Sequence, residues 1–174
     1  MIDSLPRSPT VADFDAFEPL EQCHRETMQM LATLAMLVAR IETVGVDTRA
    51  REMAAVAEQH FTHTLRAHHV DEETHVFPLL AASGDAETAQ AIARLKQDHA
   101  WLRTDWRVLQ PLVNAVACGQ SWFDLDVLRD GVEVYTALAR DHVALEESLI
   151  YPQARRHLLE ACRRERRREM AERR

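Results

Sequence analysis

Two copies of one eleven-residue pattern combine histidine, glutamate and an aromatic-proline step at identical spacing. The copies begin 74 residues apart and read His68-x3-Glu72-Glu73-x3-Phe77-Pro78 and His142-x3-Glu146-Glu147-x3-Tyr151-Pro152. Residues four positions apart on a helix lie on one face, so each copy directs an imidazole and a carboxylate the same way. Two such pairs on two helices of one bundle can enclose two metal ions between them.

Two further histidines lie on apolar helical faces. His24 shares a face with Leu20, Leu31 and Val38, and His99 shares one with a second series of apolar residues: Ile92, Leu95, Leu102 and Trp106. A polar side chain buried without a partner costs several kcal/mol, so something must satisfy these imidazoles. Both histidines are therefore candidate ligands.

The residues that predict turns allow the positions of these side chains along the bundle axis to be compared. Breaks near residues 46, 84 and 120 separate helical segments at about 14–43, 48–82, 86–117 and 122–160, with Asp47 and Asp85 as predicted N-caps. At about 1.5 Å per residue, the candidate side chains reach one level of the bundle to within roughly a turn. We predict a metal site formed by His24, His68, Glu72, His99, His142 and Glu146.

Composition supports an all-α fold. The 174 residues include only four Gly and six Pro, and 47% are apolar. Four long segments with short connections predict an antiparallel up-down-up-down four-helix bundle. We expect an irregular leader at 1–12, the bundle at 13–160 and a basic helical tail at 161–174.

The charge and the cysteine content of the chain indicate which partners and which cellular compartment to expect. The formal charge is −7, yet residues 155–174 hold nine Arg against four Glu. This segment could bind an anion, nucleic acid or an acidic partner, but interrupting glutamates and the helix dipole favour a solvated helix end.

Three distant cysteines without C-x-x-C spacing predict reduced thiols. With no signal sequence and no stretch approaching a membrane span, we expect a cytoplasmic protein without a membrane partner.

This arrangement of candidate ligands resembles the hemerythrin-like, or HHE cation-binding, family. It has one His on the first helix, one His on the third, and a His-x3-Glu pair on each of the second and fourth. The resemblance extends from about Phe17 to Pro152. It implies a four-helix bundle holding two iron ions, with an oxo or hydroxo bridge, bridging carboxylates from Glu72 and Glu146, and terminal nitrogens from the four histidines. Manganese and zinc are the alternative metals.

The third helix departs from the oxygen-carrying members of that family, which have two histidines one turn apart there. Leu95 and Arg103 stand at this spacing from His99, so one nitrogen ligand is missing. Water, His69 or Glu21 could fill the position, and the missing nitrogen argues against reversible oxygen carriage. Of the remaining histidines, His60 and His63 are interpreted as surface or half-buried residues, His157 as part of the basic tail, and His75 as an outer partner of the site or a satisfied core residue. Glu73 and Glu147 are interpreted as facing neighbouring helices or solvent, or as orienting an imidazole.

These residues are compatible with three functions. The preferred hypothesis is a di-iron protein that binds or senses O2 or NO, or handles iron, without turnover. The second is a di-iron enzyme with oxidase, peroxidase-like or repair activity, although the chain has no nucleophile elbow or phosphate loop. The third is a regulatory bundle whose metal supports the fold. The sequence leaves the oligomeric state open.

Overall fold

Four long helices make up the part of the chain that the structure, a computed structural model, describes: residues 17–81 and 85–172. Helix α1 is Phe17–Val44 and α3 is Ala86–Ala117. Helix α2 covers 48–81 and α4 covers 125–172, and each contains π-helical turns. In order, α2 consists of Thr48–Gln59, His60–Thr64, Leu65–Asp71, Glu72–Val76 and Phe77–Ala81, and α4 of Leu125–Leu145, Glu146–Ile150 and Tyr151–Glu172.

The helices form the predicted antiparallel bundle, in which α1 and α3 each pack against α2 and α4. The all-α prediction is confirmed. The fourth helix continues to Glu172 through the predicted tail, whereas the predicted leader at 1–12 lies outside the described residues.

Aspartates begin three of the helices. The side chains of Asp47 and Asp85 accept hydrogen bonds from the backbone N–H groups of Ala50 and Thr88, which confirms both predicted N-caps. Helix α4 begins at Leu125 rather than at the predicted residue 122, because the Asp124 carboxylate accepts from the N–H groups of residues 126 and 127. The positions of these N-caps set the level at which each of the three helices passes its neighbours.

Each copy of the repeated pattern contains a π-helical turn that begins at its first glutamate and ends just before its aromatic residue. The Phe77 N–H bonds to the Glu72 carbonyl, and the Tyr151 N–H bonds to the Glu146 carbonyl. Proline lacks the N–H that a continuing helix requires, and π turns often occur at functional sites. The turns therefore lie directly beside the candidate ligands.

The apolar core has two parts, separated along the bundle axis by a polar layer. One cluster contains Leu31, Leu34, Leu109 and Tyr135, and the other contains Phe77, Leu95 and Ile150. The candidate ligands belong to neither cluster. The two apolar clusters shield the polar layer from water at both ends.

Helix α1 is long and apolar enough to cross a membrane, judged by length and composition alone. The expectation that no segment approaches this length is therefore corrected. The helix has 28 residues, and its outward face includes Met28, Met36 and Val44. Its opposite face is buried in the bundle, and core helices pass the same composition test.

Candidate metal centre

All six predicted ligands meet in the layer between the two apolar clusters. Their exposed fractions are 4% or less, and those of both glutamates are 0%. Each of the four helices contributes, α1 through His24, α2 through His68 and Glu72, α3 through His99 and α4 through His142 and Glu146. The structure thus places the predicted residues at one level.

The first set of ligand atoms comes from His24, His68, Glu72 and Glu146, and they all lie within 4.8 Å of one another. The Nε2 atoms of His24 and His68 are 3.0 Å apart. Glu146 Oε2 lies 3.2 Å from His24 Nε2, and Glu72 Oε1 lies 3.3 Å from His68 Nε2. Ligands about 2.1 Å from one ion lie roughly 3 to 3.4 Å apart, so these spacings suit a shared cation.

The second set contains the same two glutamates together with His99 and His142, again within 4.8 Å. His99 Nε2 lies 3.4 Å from Glu72 Oε2, and His142 Nε2 lies 3.2 Å from Glu146 Oε2. Both carboxylates therefore belong to both sets. This is the arrangement that bridging carboxylates between two cations require.

His69, which the sequence could only suggest, lies against two histidines of the second set and forms a third candidate group with them. It is 3% exposed, its ring stacks on that of His99 at 3.9 Å, and it forms a three-histidine group with His99 and His142. Glu21, the other side chain considered for the missing position, instead pairs with Arg155 at 2.6 Å. The layer thus offers five imidazoles and two carboxylates.

Several buried atoms in the layer make no hydrogen bond within the described part of the chain. They are His68 Nδ1, His69 Nε2, Glu72 Oε2, His99 Nε2, His142 Nδ1 and Nε2, and both carboxylate oxygens of Glu146. Buried polar atoms are normally satisfied, and orphans indicate an absent ion or water. Imidazole nitrogens and carboxylate oxygens are donors that iron, manganese and zinc all accept. The donor set fits a pair of cations.

The second glutamate of each repeat orients a histidine on a neighbouring helix. Glu73 Oε1 lies 2.8 Å from His99 Nδ1, and Glu147 Oε1 lies 3.2 Å from His24 Nδ1. These contacts leave Nε2 of each ring directed at the shared carboxylates, as the outer partners of metal-bound histidines do. Asp98, which the sequence analysis did not consider, is 2% exposed and lies 3.9 Å from His142 Nδ1.

Burial lowers the pKa of an imidazole, whereas a neighbouring carboxylate raises it. Burial lowers the pKa of His99, but its contacts with Glu146, Glu72 and Glu73 outweigh this and raise the pKa to about 9. Burial, with the nearby His24, lowers the pKa of His68 to about 3. Protons on some imidazoles thus compensate the buried carboxylates in the metal-free chain. Cations would replace those protons on binding.

The two halves of the site differ at the aromatic position of the repeat. The Tyr151 ring stacks on His24 at 5.2 Å, and the Phe77 ring lies over His99 at 5.8 Å. Only Tyr151 carries a hydroxyl, which donates to Glu72 Oε1 at 2.5 Å and lies 3.3 Å from His24 Nε2. Burial and the two glutamates raise the pKa of this phenol, so it stays protonated.

We expect Tyr151→Phe to lower the free energy of unfolding of the metal-free chain by about 1 to 3 kcal/mol, because it removes a buried hydrogen bond and leaves an acceptor without its donor. Chemical denaturation measures the change. Tyr135→Phe is the matched control, since that buried hydroxyl has no hydrogen bond in the described region. Equal losses in both variants would contradict a special role for the Tyr151 hydroxyl.

The other histidines lie away from the layer's ligand groups. His60 is buried, and its Nε2 is 2.8 Å from the Thr27 hydroxyl, so the half-buried or surface position expected for it is corrected. His63 and His75 are exposed, and His157 is partly exposed on α4. None of the four belongs to a group of potential metal ligands in the described residues.

Comparison with known proteins agrees with this geometry. Residues 15–154 match the family described as the hemerythrin HHE cation binding domain. The iron-sulfur cluster repair protein YtfE of Pectobacterium atrosepticum is 26% identical over 141 residues, covering 76% of this chain and 60% of that relative. The chain thus spans less than two thirds of the relative's length, and no solved structure gives a significant match. Because the family match covers most of its length, the chain belongs to the hemerythrin HHE cation-binding family.

Proposed function

We propose that this protein is a non-haem di-iron protein that binds or senses O2 or NO, or handles iron, at the centre of its bundle. Family membership supports a metal-binding, iron-related function. The proposal goes beyond this in three points: the number of ions is two, the native metal is iron, and the ligand is a diatomic molecule. Manganese and zinc remain the alternatives that metal analysis tests.

The sharing of Glu72 and Glu146 between two ligand sets carries the proposal. Two carboxylates with no exposed surface would repel each other and lose their hydration in an apolar interior. A cation on each side compensates both charges, and five imidazoles complete the coordination. A single ion would leave one of the two sets of donors unused.

The surrounding side chains suit a small ligand. The two apolar clusters exclude bulk water from the layer, and Glu73 and Glu147 hold two imidazoles in orientation. Tyr151 holds a proton 2.5 Å from Glu72 and beside the first ligand set. Two iron ions, when bound, would supply redox chemistry and coordination positions for a diatomic molecule.

Anaerobic loading with ferrous iron tests the proposal. We expect about two irons per chain by metal analysis, and a change in the optical spectrum when O2 or NO is added. Parallel loading with manganese or zinc shows which ion binds most tightly. The exposed His63→Gln variant is the control and should behave as the parent does. Absence of bound metal, or one ion at saturation, would contradict the di-iron proposal.

A second candidate follows from the relative's name, which assigns it to the repair of iron-sulfur clusters. In this case the chain would restore iron to a protein with a damaged iron-sulfur cluster. Recovery of the damaged protein's activity should require the iron-loaded chain and should fail with the metal-free chain. Steady-state consumption of oxygen or peroxide would instead favour an oxidase or peroxidase-like enzyme.

A further inference from the structure

A cavity of about 360 Å³ lies between α2 and α3, next to the ligand layer. Helix α2 lines it with Leu65, Arg66 and His69, and α3 lines it with Arg103, Trp106 and Arg107, among others. Tyr135 of α4 also contributes to its wall. Its volume is within the range of small-molecule sites.

The charge of the cavity is opposite to that of the chain. Three of its lining residues are arginines and none is Asp or Glu, whereas the whole chain has a formal charge of −7. Glu73 lies 3.8 Å from Arg103 and offsets part of that charge. Arg66 and Arg107 form no ion pair in the parts of the chain described, so their guanidinium groups are available to an anion.

The rest of the lining combines apolar surface with a few polar groups. Phe61 and Trp106 pack at 5.0 Å between ring centroids, and Trp106 packs on Tyr135 at 5.7 Å. Glu58, which lies outside the lining, accepts hydrogen bonds from Thr62 and Gln110 and so fixes the polar edge of the cavity. An aromatic surface beside guanidinium groups suits a molecule with a flat apolar body and one anionic group.

His69 connects the cavity with the ligand layer. It lines the cavity, while its ring stacks on His99 and its buried Nε2 has no hydrogen bond within residues 17–81 and 85–172. A molecule in the cavity would therefore contact an imidazole that belongs to a candidate ligand group.

We propose that this cavity is a binding site for a small organic anion, such as an aromatic monocarboxylate, held by Arg66 and Arg107 against Trp106. The proposal does not require metal, since all of its contacts come from the protein. Its failure would leave the di-iron proposal untouched.

Fluorescence of Trp106 tests the site. Trp101 and Trp122 are exposed by 53% and 76%, so a Trp101→Phe/Trp122→Phe background leaves Trp106 as the single reporter with little disturbance of the core. Titration of the metal-free and the metal-loaded chain with benzoate should change its emission saturably. Benzamide, which has the same shape without the charge, should bind at least about tenfold more weakly.

Substitution of the cavity arginines tests whether they bind the carboxylate of benzoate. Arg107→Gln and Arg66→Gln should each weaken benzoate binding by about fivefold or more. Arg49→Gln is the control, because this exposed arginine on α2 pairs with Glu52 away from the cavity. Equal binding of benzoate and benzamide, no saturable signal, or an equal loss in the Arg49 variant would overturn the proposal. Circular dichroism and melting curves confirm that each variant is folded.

Discussion

Replacing Glu146 by glutamine is expected to reduce bound metal from about two ions per chain to well below one. Glu146 belongs to both ligand sets and lies 3.2 Å from the Nε2 atoms of His24 and His142. Glutamine keeps the size of the side chain, but it loses the negative charge that two neighbouring cations require. Metal analysis after loading and desalting measures the change.

Loss of metal binding in Glu146→Gln should also remove the stabilisation that metal gives to the folded chain. Metal that binds only the folded chain stabilises it by about 2.7 kcal/mol when its concentration is a hundred times its Kd. We expect the melting temperature of the parent to rise on loading and to fall again with a chelator, whereas that of Glu146→Gln should not respond. The variant without metal should remain folded, because glutamine keeps the size of the side chain and the neighbouring imidazoles can lose the protons that compensated Glu146.

Glu147→Gln is the matched control for this experiment. Within the described residues, the adjacent glutamate has its one polar contact with Nδ1 of His24, and its side chain is 51% exposed. Loss of such an outer partner typically weakens metal binding by about 10- to 100-fold. Two ions should therefore still bind at saturating metal. If Glu146→Gln also kept two ions, the bridging role assigned to this residue would be wrong.

Replacing His69 by leucine is expected to remove one of the two ions and leave the other. His69 groups with His99 and His142, whereas the first ligand set contains His24, His68 and both glutamates but not His69. Leucine fills the buried space without a nitrogen donor. The bound metal should fall from about two ions per chain to about one.

The reciprocal variant gives this prediction its strongest test. His68→Leu should also retain about one ion, but at the other position, since His68 belongs to the first set. The two single-ion proteins should therefore differ in spectrum when loaded with cobalt. His75→Leu, at an exposed position on α2, is the control with two ions expected. Two tightly bound ions in the His69 variant would show that its imidazole only packs against His99.

The spacing within each helix could be predicted from the sequence alone. A helix turns by a constant angle per residue, so His68 and Glu72, or His142 and Glu146, share a face wherever that helix lies. The turn residues set the length of each segment and hence the common level of His24 and His99. These local rules predict the bundle, which is confirmed, and they predict that six of the seven side chains of the layer lie at one level, while their role as metal ligands stays a prediction.

Other features required the tertiary structure. His68 and His69 are adjacent and point in directions about 100° apart on an ideal helix, so periodicity alone favours one of them as inward-facing. Both are buried because α2 packs against α1 on one side and α3 on the other. Tyr151 reaches Glu72, and Glu147 reaches His24, across different helices.

Residue spacing therefore predicts which side chains share a helical face and how far along the bundle they lie. Which faces meet, and with them the fifth imidazole, the outer carboxylates and the arginine-lined cavity, follows only from the packing of the four helices. The physical reason is that intrahelical geometry follows from the covalent backbone, whereas the rotation and separation of packed helices depend on many weak contacts distributed over the whole core.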